Sequence, residues 1–259
     1  MTKMPVIFFG HGSPMNAIHQ NPFVDFLCQA TQNVPRPKAI LCISAHWETI
    51  GTKVLKVLKP RTIHDFYGFP QALYDVQYPA PGSLAIADDI IQSLRPILVE
   101  PDTSWGLDHG TWSILKHLYP QADIPVLQLS LNKKLSLSQH YEIGQKLARL
   151  RNQEILIMGS GNITHNLRQL DLNPEPKATN WAVQFDEMIK KAIINKDLAT
   201  LFAQHPADQK IWQMAHPSLE HYLPLLYILG ASDRQDILSF PYEGMELGSL
   251  SMRAVQFQS

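Results

Sequence analysis

Cysteine is nearly absent: Cys28 and Cys42 are the only two in 259 residues. Two thiols cannot build a disulfide framework or a four-thiolate metal site. Both stand in apolar surroundings, so both are expected to be buried thiols of a protein kept in a reducing compartment, the cytoplasm. Excess charge of either sign is also missing. The formal net charge is -1 and no block of like charges occurs, which leaves no electrostatic footprint for nucleic acid or an anionic membrane. Long hydrophobic runs are missing too. The most apolar stretch, Tyr222 to Ala231, contains Pro224 and is too short to span a bilayer. Met1-Thr2-Lys3-Met4-Pro5 leads straight into a core-like strand, so no targeting segment is expected. Several motifs are absent as well. There is no phosphate-binding loop, no Gly-x-Gly-x-x-Gly and no His-Glu-x-x-His. Gly159-Ser-Gly-Asn162 lacks the Gly-x-Ser-x-Gly of a nucleophile elbow. Nucleotide binding and serine hydrolysis are therefore disfavoured.

What remains is an ordinary globular composition, 45% hydrophobic and 17% charged, with eleven histidines. Short apolar runs read as buried strands at Val6–Phe9, Ala39–Ala45, Ile124–Ser130 and Glu154–Met158. Weaker strands are expected at Val54–Leu58 and Ile97–Val99, with edge strands at Ile237–Phe240 and Ser249–Phe257. Helices are expected over Phe23–Thr31, Leu84–Leu94 (capped by Ser83), Thr111–Leu118, Ser138–Arg151, Trp181–Ile194, Leu198–Ala203 and Leu219–Leu229. Pro60 to Gly82 is a long loop rich in aromatics (Phe66, Tyr67, Phe69, Tyr74 and Tyr78), and loops of that length are functional or carry their own small core. Asn173 to Pro176 is a proline-broken loop. Strands and helices roughly alternate, and no linker or repeat divides the chain. The expectation is one α/β domain over residues 1–259, with a largely parallel or mixed central sheet flanked by helices.

The histidines are not scattered. Three core-like strands each run into a small-residue turn followed by a histidine: VIFFG before His11, AILCISA before His46 and ILIMGSGNIT before His165. Ligands of open α/β sheets bind beyond the carboxyl ends of the strands, so the three imidazoles are expected to face one crevice. Neutral imidazole is the commonest protein metal ligand. Histidines from separate loops would leave coordination positions open, as in a catalytic rather than a closed structural site. His221 follows Glu220 at a helix start, and either is a candidate ligand. Helix neighbours diverge by about 100°, so the two are not expected to ligate together. His109 lies in a loop beside Asp108. His19, His117, His140, His205 and His216 fall outside the pattern and read as structural, with His117 and His140 on helix surfaces. A set of turn histidines bonded to the backbone is the plainer alternative for all of them.

The segments GHGSPMN, SAHW, TIHDFYGFPQALYDVQYPAPG, WGLDHGTW, SGNITHNL, EHYLPLLYILGA and GSLSMR occur in order from Pro5 to about Arg253. Together they resemble the 4,5-DOPA extradiol dioxygenase family, a branch of the class III extradiol ring-cleaving dioxygenases. The resemblance implies an α/β domain with one divalent metal at one end of its sheet. It implies His11, His46 and His221 as metal ligands. His165 is implied as the acid/base residue, close enough to count as a fourth ligand when substrate is absent, and His109 as a group touching substrate or oxygen. Fe(II) is expected for turnover, and Zn2+ also suits three histidines. The implied partners are a catechol, such as L-DOPA, and O2. Two other classes remain open at this point: a zinc hydrolase, and a non-catalytic binding protein of the same fold.

Overall fold

The computed structural model describes residues 3–173 and 175–259. Of the amino-terminal start and the Asn173–Pro176 loop read from the sequence, Met1, Thr2 and Pro174 lie outside the described residues. The centre is a six-stranded sheet whose spatial order is Val126–Gln128, Ala39–Ser44, Ile155–Gly161, Val6–Gly10, Ala254–Gln258 and Ile237–Tyr242. The first four strands run parallel. The last two are added antiparallel, Ala254–Gln258 pairing with Val6–Gly10 and then with Ile237–Tyr242. The carboxyl-terminal strand therefore lies inside the sheet, and of the two expected edge strands Ile237–Tyr242 is at an edge, as its alternating exposure reflects, with Val126–Gln128 at the other.

The parallel strands are buried along their whole length. Strand side chains alternate between faces, so each near-continuous apolar run feeds two cores. Val6, Phe8, Leu41, Ile43 and Ile157 point into one; Ile7, Phe9, Ile40, Cys42, Leu156 and Met158 point into the other. The first core is covered by helices Leu84–Leu94, Leu137–Leu147, Asn180–Asn195 and Leu223–Ala231. Every residue of Leu223–Ala231 is buried, which is why LPLLYILGA has no polar face. The second core is covered by helices Pro22–Leu27 and His109–Leu118 and by the aromatic loop. That loop is ordered by its own short helix, Gln71–Tyr74, and by the buried Leu73, Tyr78 and Ala80.

Several expectations need correction. Thr52–Leu55 and Val99–Asp102 pair with each other outside the main sheet. The strand before His165 continues through Gly159-Ser-Gly to Gly161. The helix after Asp108 starts at His109 rather than Thr111, because the Asp108 side chain accepts from Thr111 N and caps it. The Leu223–Ala231 helix starts after His221, so Glu220 and His221 lie in the turn that enters it. Cys28 is exposed at a helix end, and Cys42 alone is buried. Among the described residues no helix is long and apolar enough to cross a membrane.

His140 is not on a helix surface. It is 1% exposed and its Nδ1 meets the Tyr227 hydroxyl at 2.8 Å. Burial pushes its pKa down to about 4, so the folded protein holds it neutral while the unfolded chain protonates near pH 6.5. The folded state binds fewer protons in that window, so this contribution to stability is full above pH 6.5 and shrinks as pH falls towards 4. Urea melts should show the loss at up to about 1.4 kcal/mol per pH unit for this group. His140→Gln should flatten the slope by that share, and an unchanged slope would contradict the assignment.

Candidate metal centre

The carboxyl ends of three adjacent parallel strands deliver the histidines. His11 follows Gly10 directly, and the next residue, Gly12, takes a positive φ of 59° that L side chains rarely adopt. His46 lies two residues beyond Ser44, and His165 four beyond Gly161. His109 opens its helix, and His221 is brought in from the turn before the buried helix. That turn lies against the strand end: Asn162 N donates to His221 O at 2.9 Å. A Cβ on Gly161 would stand 2.1 Å from the same carbonyl. Gly161→Ala is therefore expected to push His221 away, costing about 1–3 kcal/mol of stability and weakening metal binding. Titration of the variant with Co2+ would check it.

All five histidines come together. His11 has ring centres at 5.0 Å (His46), 5.3 Å (His221) and 5.7 Å (His109). His46 lies 3.9 Å from His109 and 5.0 Å from His221. His165 stacks on His221 at 3.4 Å with the rings nearly parallel. Their donor atoms form two groups, each within 4.8 Å: His11, His46 and His109 in one, His165, Glu220 and His221 in the other. The grouping differs from the sequence expectation, which sets His221 with His11 and His46. His221 bridges the two groups.

Hydrogen-bond partners assign the ring nitrogens. Ser160 Oγ spends its hydrogen on Gly110 O at 2.5 Å, so it accepts from His11 Nδ1 at 3.0 Å. That leaves the Nε2 of His11 as a bare lone pair. His221 Nδ1 donates to Glu220 Oε1 at 2.9 Å, and its Nε2 is buried with no partner. His46 Nδ1 faces Asp65 Oδ2 at 3.4 Å, and its Nε2 stands 3.2 Å from that of His11. Two lone pairs facing each other at that distance repel unless a cation lies between them. An acceptor behind each imidazole, with the far nitrogen turned inward, is the usual arrangement around a bound metal. The donor set fits a divalent ion that favours imidazole, such as iron or zinc.

Electrostatics agree. Burial first, and the neighbouring histidines second, hold His11, His46 and His221 well below the usual histidine range. Burial likewise brings His165 down to about 4. All four are neutral at pH 7 and able to donate lone pairs.

The sequence reading missed two supporting groups. Asp65, from the aromatic loop, accepts from His109 N at 2.9 Å, and its Oδ1 lies 3.0 Å from His109 Nδ1. Burial alone would raise its pKa, but the histidines, His109 foremost, hold it at about 2. Ser160 is the second. Glu220, a candidate ligand from the sequence, accepts from His221 Nδ1 and also keeps a carboxylate oxygen within 4.8 Å of the donor atoms of His165 and His221. Asp108 is bonded to other groups than the imidazoles. It accepts from Ser44 Oγ at 2.7 Å and Gln128 Nε2 at 2.6 Å, and burial raises its pKa. His216 is buried beside the site with Nε2 on Ile163 O at 2.7 Å.

Residues 5–249 match the family described as the catalytic LigB subunit of aromatic ring-opening dioxygenase. The chain is 46% identical over 260 residues to a 4,5-DOPA dioxygenase extradiol of Escherichia coli (strain K12), covering 98% of this chain and 95% of that protein. It is 37% identical over 262 residues to a protein of the same name from Beta vulgaris, covering 97% and 96%. A crystal structure of an uncharacterized Escherichia coli K12 protein superposes with a TM-score of 0.84 at 39% identity, covering 98% of this chain and 99% of that one. The chain belongs to the LigB family of aromatic ring-opening dioxygenases, and so to the oxidoreductases.

Proposed function

We propose that residues 1–259 form one catalytic domain, a divalent-metal-dependent extradiol dioxygenase that opens a catechol ring with O2. L-DOPA, cleaved at the 4,5 position to a seco-DOPA, is the substrate that the relatives' names favour. The observation that carries the reading is the convergence of His11, His46 and His221, each with Nδ1 facing a polar partner and Nε2 turned inward. These three are assigned as ligands, with His165 near enough to be a fourth. These residues would hold Fe(II), which would supply the one-electron chemistry that lets a catechol react with O2; redox-inert Zn2+ suits the same donors but would not supply it.

The chain's own residues handle protons and shape. His165 is neutral at pH 7 and stacked on His221, so it can take a catechol proton and return it when the ring opens. A positioned acid/base group contributes about 10²–10⁴-fold. His109, clasped by Asp65, is placed to hydrogen-bond oxygen or a substrate hydroxyl. Phe66 meets the His109 ring edge-on at 5.5 Å and packs with Phe69, Tyr74 and Trp112. That cluster walls the site with apolar surface and limits water. Both atoms of O2 end in the product, and the broken bond lies beside the hydroxyl-bearing carbons, so no external reductant is consumed. The location expected from the thiols is the cytoplasm, with no nucleic-acid or membrane partner.

The test is anaerobic Fe(II) loading followed by L-DOPA or other catechols and then oxygen. Oxygen uptake with a yellow ring-opened product is expected. No uptake with any catechol, despite bound iron, would reject the reading, and oxygen-independent ester hydrolysis by the zinc form would favour the hydrolase. His165→Ala should keep most of its metal while losing about 10²–10⁴-fold in turnover; loss of the metal would make His165 a ligand first.

A further inference from the structure

We propose that Asp65 is a positioning residue of the metal centre. Its carboxylate orients His46 and His109, places negative charge behind an otherwise neutral donor set, and ties the aromatic loop to the metal. This inference rests on the metal-dependent reading above and deepens it.

The geometry is specific. One carboxylate lies against two imidazoles: Oδ1 accepts from His109 N at 2.9 Å and stands 3.0 Å from His109 Nδ1, which has no hydrogen-bond partner of its own, and Oδ2 stands 3.4 Å from His46 Nδ1. The contact with His109 N belongs to the first turn of a ten-residue helix, where free N–H groups favour an anion. The side chain is only 16% exposed. The residues on either side of it are held in place. Ile63 N donates to Leu107 O at 2.7 Å, Trp112 Nε1 to Ile63 O at 2.8 Å, and His64 Nε2 meets Val76 O at 2.9 Å. On the other side Phe66 packs on Trp112 and His109. Asp65 therefore cannot leave the imidazoles unless the loop rearranges.

The chemistry needs such a group. Three neutral imidazoles leave the 2+ charge of an ion uncompensated. A carboxylate facing the outer nitrogen fixes the tautomer and raises the donor strength of the inner one. Glu220 does this for His221 through a 2.9 Å hydrogen bond, and Asp65 stands 3.4 Å from the same nitrogen of His46, in place to do it there. The nearby Asp108 cannot substitute, because its oxygens are already taken by Ser44, Thr111 and Gln128.

The experiment measures Co2+ and Zn2+ affinity by competition with a chromophoric chelator, and the visible absorption of the Co2+-loaded protein. Asp65→Asn should bind both metals about 10–100-fold more weakly, with shifted Co2+ bands. Tyr67→Ala removes a side chain on the same loop that is 93% exposed and leaves the carboxylate and its anchors in place, so its affinity should stay within about threefold of wild type. Asp65→Glu keeps the charge on a longer arm; it should retain affinity to within about tenfold while its Co2+ bands shift, and it carries the test if Asp65→Asn does not fold. Wild-type affinity with an unchanged spectrum in Asp65→Asn overturns the proposal. So does an unchanged spectrum in Asp65→Glu, or a Tyr67→Ala loss as large as that of Asp65→Asn. A wild-type protein that binds neither metal would instead reject the metal-dependent reading itself.

Discussion

His11→Ala is expected to release the metal and to cut catechol-dependent oxygen uptake by about 10³-fold or more. Losing an outer partner of a metal ligand typically costs about 10–100-fold, so losing the donor itself costs more. His11 sits at the middle of the cluster, with His46, His109 and His221 all around it. Its Nε2 is the lone pair facing His46, so no other residue can take its place without moving a strand end. The methyl of alanine leaves the Ser160–Gly110 contact intact, and the fold should survive. Metal analysis after dialysis, with oxygen uptake on L-DOPA, reads both effects. Stoichiometric metal in the variant would disprove the assignment. His221→Ala should behave the same way, whereas His109→Ala should keep metal and lose turnover. The reverse result would make the ligand set His11, His46 and His109, whose donor atoms lie within 4.8 Å of one another.

The strands that deliver His11, His46 and His165 were legible because burial on both faces leaves a continuous apolar run that stops where the turn begins. The small residues after those runs marked the carboxyl ends, and three histidines at equivalent places marked a site. Other parts were not legible, for physical reasons. Asp65 meets His109 across 44 residues of chain, from a loop whose shape follows aromatic packing rather than any period. The start of the helix at His109 is masked by Gly110, a poor helix former, although Asp108 is an ordinary N-cap. His140 could have been placed: it lies three and seven residues before Ile143 and Leu147, on the same helix face, and all three are buried. The turn that carries Glu220 and His221 has no such signature. Its position depends on Gly161 admitting the carbonyl of His221 at the strand end.

At the opposite pole of the sheet, Arg151→Met is expected to destabilise the protein by about 3–5 kcal/mol, the usual cost of stranding one member of a buried ion pair. Arg151 and Asp236 have no exposed side-chain surface. The guanidinium donates to Asp236 through two nitrogens at 2.5 and 2.9 Å, to Met4 O at 2.7 Å and to Ala231 O at 3.0 Å. It thus fastens the entry to the first strand, the end of the buried helix and the turn before Ile237–Tyr242. Met fills similar volume but leaves the carboxylate with Lys3, Asp233 N and Ser259 alone. Burial would raise the pKa of Asp236, but Arg151 outweighs it and holds the group well below the usual carboxylate range. Its folded pKa is depressed, so its share of stability is present above about pH 4 and drains away as pH falls below that. In Arg151→Met that acid-side slope should shrink. Adding Asp236→Leu should recover part of the loss, since a well-packed apolar pair can replace a buried ion pair. Urea melts at pH 7 and pH 3 of the wild type and both variants measure these effects. A single-variant loss under about 1 kcal/mol, the level of an exposed pair, would mean that water reaches the carboxylate and that the pair is not the clamp its geometry describes.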